Sequence, residues 1–255
     1  MSLRVVFILV ALLSAGPFLA SGPASPALAA RPYLEYTFDG EPEGYLVYGP
    51  VKTHDRYGVP DRAYLFDGVD DFIDLPNGLP GTYTVSVWVL AGEGNIGPER
   101  FNIIDAWTRG EVLAISYNQA YDVEADPSEF IGYTGPGDYV IASFHPWQSE
   151  WVAWSERHLC FPMTLNDGLW HHLAISFDGI VARLYVDGEE KLSYAFGPQV
   201  LSHEKEWTAE DILNYTDLSL GRFGRVGTFF SGALDLVRFY DRALSPRQIA
   251  ELSTQ

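Results

Sequence analysis

Two adjacent histidines, His171 and His172, lie in a stretch dense in carboxylates, which is the composition of a metal site or a catalytic centre. The stretch, LNDGLWHHLAISFDGIVARLYVDGEEK over residues 165–191, carries five acids: Asp167, Asp178, Asp187, Glu189 and Glu190. Histidines that share one ion usually stand at i and i+2 of a strand, because successive side chains point to opposite faces. The adjacent pair therefore favours a structural hairpin over a metal or catalytic centre.

Asp235 is the strongest single candidate for a metal ligand. In ALDLVRFY, strict alternation places Asp235 on the same strand face as Val237 and Phe239. A carboxylate on an apolar face is costly unless it is paired or metal-bound. Two interpretations stay open: a cation ligand, or a hydrogen-bonded aspartate that accepts turn amides or pairs with Arg238 or Arg242.

Four tryptophans are candidates for ligand binding. Trp147, Trp151 and Trp154 lie in one aromatic segment rich in Pro and Gly, and Trp207 lies in a later polar segment. Exposed aromatic faces bury the apolar surface of sugars. We therefore predict a sugar-stacking platform from these side chains, with burial in the core as the alternative for each.

The positioning elements are short strands, because alternating apolar and polar residues recur every 8 to 12 positions between turn signals. Asp-Gly pairs end several of these runs and predict tight hairpins. Ser245 and Pro246 have the residue types of an N-cap and a first helical position, so SPRQIAEL predicts one short helix near the C-terminus. The pattern indicates an all-β protein: a two-sheet antiparallel β-sandwich.

The N-terminus and the composition restrict the function further. Residues 1–29 combine Arg4, an apolar run and an A-x-A site, which predicts a secretory signal peptide and an exported protein, secreted or periplasmic. Residues 30–255 then form one domain, with a long insert around 91–165 where alternation is weak. The net charge of −18 argues against nucleic acid and anionic membranes as partners. Cys160 is the only cysteine, so we expect a buried thiol and no internal disulfide.

Several motifs together resemble a known family. YTFDG, YLFDGVDDFIDLP, YTVSVWV, WHHLAISFDGIVARLYVDGE, LSLGRFGR and GALDLVRFYDRALSPRQIAEL occur in this order. The chain resembles the laminin-G-like, concanavalin A-like lectin/glucanase family, which also includes pentraxins. The resemblance implies a jelly roll whose last strand lies near the first and whose short helix caps the end.

The resemblance also implies a calcium ion. Many relatives carry Ca²⁺ near the first and last strands, which here points to Asp39 and Asp235 as metal ligands. Hard oxygen ligands suit this ion, although two carboxylates fall short of the six to eight oxygens that it takes. Asp70 and Asp71 resemble the acidic pair of the pentraxin calcium face, but Arg222 stands where further acids would be needed.

A catalytic alternative rests on VEADPSEF, which matches the glucanase pattern E-x-D-x-x-E through Glu124, Asp126 and Glu129. Carboxyl groups about 5 Å apart serve retaining glycosidases as nucleophile and acid/base. Pro127 lacks the N–H that a central strand requires, which favours an acidic loop. We therefore expect an exported, non-catalytic domain that binds an extracellular glycan or protein, with a glycoside hydrolase or lyase, or an adhesive surface protein, as alternatives.

Overall fold

The fold is known from a computed structural model of the chain. It describes residues 30–40, 44–75, 81–94, 101–108, 111–121, 129–145, 157–196, 217–223 and 228–255. The predicted signal peptide and the four candidate tryptophans lie outside these residues. Within the described part, no helix combines the length and the apolar character needed to cross a bilayer.

The described residues form two antiparallel sheets and one short helix, as predicted. Sheet A contains β1 (Leu34–Tyr36), β3 (Val51–Thr53), β4 (Ala63–Asp67), β6 (Tyr83–Ala91), β12 (His171–Phe177), β13 (Val181–Val186), β14 (Glu189–Ala195) and β16 (Ser231–Tyr240). Sheet B contains β2 (Leu46–Tyr48), β5 (Phe72–Leu75), β7 (Phe101–Thr108), β8 (Glu111–Tyr121), β9 (Phe130–Ile131), β10 (Gly137–His145), β11 (Arg157–Pro162) and β15 (Asp217–Leu220). The helix, α1, covers Pro246–Leu252.

The strand order is that of a jelly roll with many crossovers. Sheet A runs β14-β13-β12-β6-β16-β4-β3, with β1 on β16, and sheet B runs β2-β5-β15-β7-β8-β10-β11-β9. The last strand pairs with the first, Leu34 opposite Phe239, as the resemblance implied. All pairs are antiparallel except β9 with β11. The apolar faces of both sheets meet in one large core.

The helix and the hairpins form for the reasons that the sequence suggested. Ser245 accepts a hydrogen bond from the backbone N–H of Gln248, whose side chain accepts one from Ser245 N–H. Asp187 and Gly188 form the turn between β13 and β14 with φ angles of 52° and 80°. Helix α1 packs Ile249 and Leu252 onto the outer face of sheet A, where they form a second apolar cluster.

The structure defines the region of the expected insert and corrects the expected face of Asp235. Residues 91–165 supply β7 to β11, which are five of the eight strands of sheet B. Alternation is weak there because polar residues such as Asn102 and Ser116 are fully buried. In β16, a bulge between Asp235 and Arg238 shifts the register. Val237 and Phe239 therefore lie in the core, and Asp235 is on the opposite face from them.

Candidate functional site

The two acids predicted as metal ligands lie in one open cleft beside β1 and β16. We call it the arginine cleft, and its volume is about 230 Å³. It is lined by Glu35, Thr37, Asp39, Asp55, Arg56, Tyr57, Arg62, Asp235, Leu236 and Arg238. Asp39 and Asp235 thus line the same cleft, but the sequence did not indicate that three arginines would line it as well.

Asp235 pairs with Arg56, and not with Arg238 or Arg242. The guanidinium of Arg56 donates from Nη1 to Oδ2 of Asp235, and both side chains are largely buried. Arg56 also donates from Nε and Nη2 to the main-chain oxygen of Gln255, over 3.1 and 2.8 Å. Its guanidinium lies over the ring of Tyr57, 4.5 Å from the centroid, and 5.2 Å from the ring of Trp88.

The other oxygens of this region are also bound by basic side chains. Asp39 accepts from Nε of Arg62 over 3.1 Å, and both side chains are about half exposed. Glu35 accepts from Nε of Arg238 over 2.6 Å. The carbonyl oxygen of Phe38 accepts from the ammonium group of Lys52. Asp55 accepts instead from the backbone N–H groups of Tyr57 and Val59, and so shapes its own loop.

Burial raises the pKa of Asp235, and the positive charge and hydrogen bond of Arg56 oppose that rise. A calcium ion here would need six to eight oxygens. The acids of the arginine cleft are instead engaged by guanidinium groups or backbone N–H groups. The described residues therefore do not fit calcium in this arrangement. The ion at Asp39 and Asp235 stays a prediction that the geometry disfavours.

Three residues with positive φ angles surround the arginine cleft. Phe38, Asp61 and Leu236 have φ angles of 57°, 63° and 48°, in the left-handed region that L-residues rarely adopt. Leu236 lies at the bulge of β16 and lines the cleft itself. Backbone strain of this kind persists where surrounding contacts fix it, and it clusters at functional sites. The contacts of Arg56 and Lys52 are among those that hold this region.

The adjacent histidines have separate contacts. His171 Nδ1 lies 2.9 Å from Oδ2 of Asp187, and its Nε2 lies 3.3 Å from both carboxylate oxygens of Asp167. The hydrogen bond with Asp187 raises the pKa of His171 against the opposing effect of burial. His172 packs against Trp88, with ring centroids 5.4 Å apart, and burial lowers its pKa to about 4. Each histidine therefore has its own structural surroundings.

The acidic turn after β4 brings Asp67, Asp70 and Asp71 together, with one oxygen of each within 4.8 Å of the others. Asp71 accepts from Asp67 N–H over 2.9 Å, and Asp67 accepts from Val69 N–H over 2.8 Å. Burial raises the pKa of Asp71, which Asp67 and Asp70 raise further by repulsion. These hydrogen bonds account for Asp67 and Asp71 as turn-forming residues.

The outer face of sheet B carries a row of buried polar side chains. Ser143 Oγ lies 2.9 Å from Nδ1 of His158, whose ring stacks on Phe130 with a centroid distance of 4.5 Å. Asp105 stands beside Ser219 in the register of β7 and β15. The row also contains Asn102 and Ser116, paired across β7 and β8. This face is therefore polar at its centre, whereas helix α1 covers part of the outer face of sheet A.

The strands place the ends of both tryptophan-bearing segments at one end of sheet B. Residues 146–156 connect β10 to β11, and residues 197–216 connect β14 to β15. Arg157, at the start of β11, donates to the hydroxyl group of Tyr194 near the end of β14, over 3.3 Å. Phe196, which precedes the second segment, contacts Phe177, and Phe177 contacts Phe144 of β10. We call this end the tryptophan edge.

Some of the other candidate residues are described by the structure, and others are not. Glu129 is described and partly buried, whereas Glu124 and Asp126 lie outside the described residues. Cys160 is buried, as predicted. Arg56 is the functional candidate that the sequence did not reveal, because its partner Asp235 is 179 positions away. The turn-forming residues DRYG at 55–58 gave the only local signal.

Comparisons with known proteins agree with this architecture. Domain 4 of AbnA, a GH43 extracellular arabinanase from Geobacillus stearothermophilus, solved in complex with arabinotriose, is 21% identical with a TM-score of 0.52. The match covers 85% of this chain and 84% of that domain. The botulinum neurotoxin serotype G binding domain is 12% identical with a TM-score of 0.57, over 88% of this chain. The binding domain of Paraclostridial Mosquitocidal Protein 1 is 11% identical with a TM-score of 0.55, over 82% of this chain.

The chain spans about half the length of these two toxin domains, 51% and 46%. No curated protein matches the sequence significantly. The model of the concanavalin A-like lectin/glucanases superfamily matches residues 67–250, which is most of the chain. The sheets, the register and this match confirm the predicted family, and the chain belongs to the concanavalin A-like lectin/glucanase superfamily.

Proposed function

We propose that this chain is an exported recognition domain that binds an extracellular glycan at the tryptophan edge. The observation that carries the proposal is topological. Trp147, Trp151, Trp154 and Trp207 belong to two segments whose flanking strands end side by side. Asp217, the first residue after the second segment, pairs with Trp107 at the same end of β7. The described residues that flank the two segments thus lie at one edge of the sheet.

Aromatic side chains suit a glycan because their faces bury the apolar faces of sugar rings while the hydroxyl groups stay solvated. A structurally similar domain supports the same ligand class, since domain 4 of the arabinanase was solved with arabinotriose. Binding sites on folds of this kind lie in connections that a rigid scaffold positions. The core strands supply that scaffold, with the registers of β10 with β11 and β7 with β15 fixed.

Recognition is favoured over hydrolysis by the acids on the outer face of sheet B. Asp105 is fully buried, and Asp74 forms an ion pair with Arg222 over 2.6 Å. A glycosidase needs two carboxyl groups that both reach the sugar. Neither of these two acids meets that requirement in the described part of this face.

The first experiment is a glycan array on the mature domain, which includes arabino-oligosaccharides, followed by calorimetric titration of any ligand found. We expect Trp151→Ala and Trp207→Ala each to weaken binding on the order of tenfold, as truncation of a central aromatic does. Trp170→Ala is the matched control, since Trp170 precedes β12 at its opposite end from Phe177. Equal losses in all three variants, or release of shorter sugars by the wild type, would contradict the proposal.

A protein partner is the second candidate, favoured by an apolar patch on the outer face of sheet A. Val51 and Leu65 stand opposite each other in β3 and β4 and are 59% and 43% exposed. Apolar patches on a monomer mark interaction surfaces when they are large and contiguous. A blank glycan array, together with a partner whose binding is lost in Val51→Lys and Leu65→Lys, would favour this function.

A further inference from the structure

The oxygens of the arginine cleft, together with the neighbouring carbonyl oxygen of Phe38, are bound by four basic side chains. Asp235 binds Arg56, Asp39 binds Arg62, and Glu35 binds Arg238. The main-chain oxygen of Phe38 binds Lys52. These acceptors come from the first strand, the residues that follow it, and the last strand. They are the same elements in which the resemblance implied a metal ion.

We propose that Arg56 serves as the internal cation of the arginine cleft, so that this domain needs no calcium at Asp235. The inference goes beyond the glycan-binding proposal and does not depend on it. Asp235 is only 3% exposed, and a buried carboxylate needs a counter-charge. Arg56 provides that charge from within the chain.

The geometry favours arginine for this task. A guanidinium has five donors in a planar fork, and Arg56 uses three of its nitrogens at once. Nη1 binds Asp235, while Nε and Nη2 bind the main-chain oxygen of Gln255. The flat group also lies over the ring of Tyr57 and near that of Trp88. One side chain thereby joins β16, the residues before β4 and the last residue of the sequence.

A calcium ion would compete with this arrangement. The guanidinium of Arg56 contacts the Asp235 carboxylate, so a divalent ion there would face a like charge or displace the arginine. Displacement would leave the hydrogen bonds with Gln255 broken. The lining holds four acids and three arginines, which already leaves little uncompensated charge.

The first test compares thermal melting of the mature domain with 2 mM Ca²⁺, about the level at which extracellular modules bind, and with excess chelator, for the wild type and Asp235→Asn. We expect Asp235→Asn to lower Tm, and the calcium-induced shift to be equal in both proteins. The comparison cancels calcium bound elsewhere, for example at Asp70. A calcium-induced rise in the wild type that Asp235→Asn lacks would overturn the proposal, because an ion bound only to the native state raises Tm.

The second test concerns Arg56 itself. Breaking a buried ion pair from one side leaves a buried charge unpaired, so Arg56→Ala is expected to lower Tm by about 10 °C. Arg62→Ala is the matched control in the same cleft. Its pair with Asp39 is half exposed, and its loss is expected to lower Tm by about 2 °C or less. Equal losses in the two variants would overturn the proposal. If Arg56→Ala does not fold, Arg56→Lys and Asp235→Asn replace it, with a loss expected in both.

Discussion

Among the described residues, His172 is expected to contribute most to the pH dependence of folding stability. This side chain is 1% exposed, and its Nδ1 makes no hydrogen bond within the described residues. Burial lowers its pKa from the ordinary 6.5 to about 4, with Arg56 and Arg238 contributing repulsion. The native state therefore binds fewer protons than the unfolded state between these values. Its contribution to stability is fully present above pH 6.5 and is lost as pH falls towards 4.

The magnitude follows from the two pKa values. Each pKa unit corresponds to about 1.4 kcal/mol, so the full effect is about 3 kcal/mol. About 2 kcal/mol of this would be lost between pH 7.5 and pH 5, since the unfolded form is already protonated there. We expect His172→Leu to remove this loss, because leucine cannot take up a proton in the sheet.

The assay is urea unfolding followed by tryptophan fluorescence at pH 5, 6, 7 and 7.5, for the wild type and His172→Leu. The free-energy difference between the two proteins should change in favour of the variant by about 2 kcal/mol from pH 7.5 to pH 5. The difference in unfolding free energy between the two proteins at pH 7.5 reflects packing alone, so it is the reference for the differences at lower pH. A difference that stays constant across this range would refute the assignment of a neutral, desolvated His172.

Two further predictions concern the strands β12 to β14 and the turn between β13 and β14. Asp187→Asn should destabilise the fold more at pH 6 than at pH 9 in urea unfolding, because Asp187 raises the pKa of His171. The stabilisation of the fold by protonated His171 and Asp187 is present below pH 6.5 and is lost as pH rises through the native pKa of His171. Gly188→Ala should lower Tm well beyond Gly168→Ala, since both glycines have φ near 80° but only at Gly188 would the added Cβ clash, with the hydroxyl group of Ser253. Similar Tm losses in the two alanine variants would show that backbone strain, and not the contact with the C-terminal residues, limits this turn.

Local sequence predicted those parts of the fold that local interactions determine. The Asp187-Gly188 turn and the cap at Ser245 were confirmed. The pairing of the first with the last strand was also confirmed, but the family resemblance and not local sequence had implied it. Long-range polar contacts were not predictable in this way. The bulge at Leu236 moves Asp235 away from the core face, and its partner Arg56 comes from a distant turn. Neither the register shift nor that pairing leaves a periodic signal in the sequence.

A limit of the alternation pattern explains why the strands of sheet B within residues 91–165 were only partly predicted from the sequence. Alternation of apolar and polar residues identifies a strand only when one face meets water. In β7, Ile103, Ile104 and Ala106 lie in the core, while Asn102 and Asp105 on the other face are also fully buried. A bulge between Asn102 and Ile104 further interrupts the period of two. Segments of this kind read as irregular although they pair along most of their length.

The two proposals assign stability to the arginine cleft and glycan recognition to the tryptophan edge, so they can be tested against each other. The cleft lies beside β1 and β16 of sheet A, whereas the edge is formed where β10, β11 and β15 of sheet B begin or end. Arg56→Lys should therefore lower Tm but leave glycan affinity unchanged well below the unfolding temperature. Trp151→Ala should do the reverse. If Arg56→Lys weakened binding as much as Trp151→Ala while the domain stayed folded, the two regions would be coupled and the arginine cleft would belong to the ligand site.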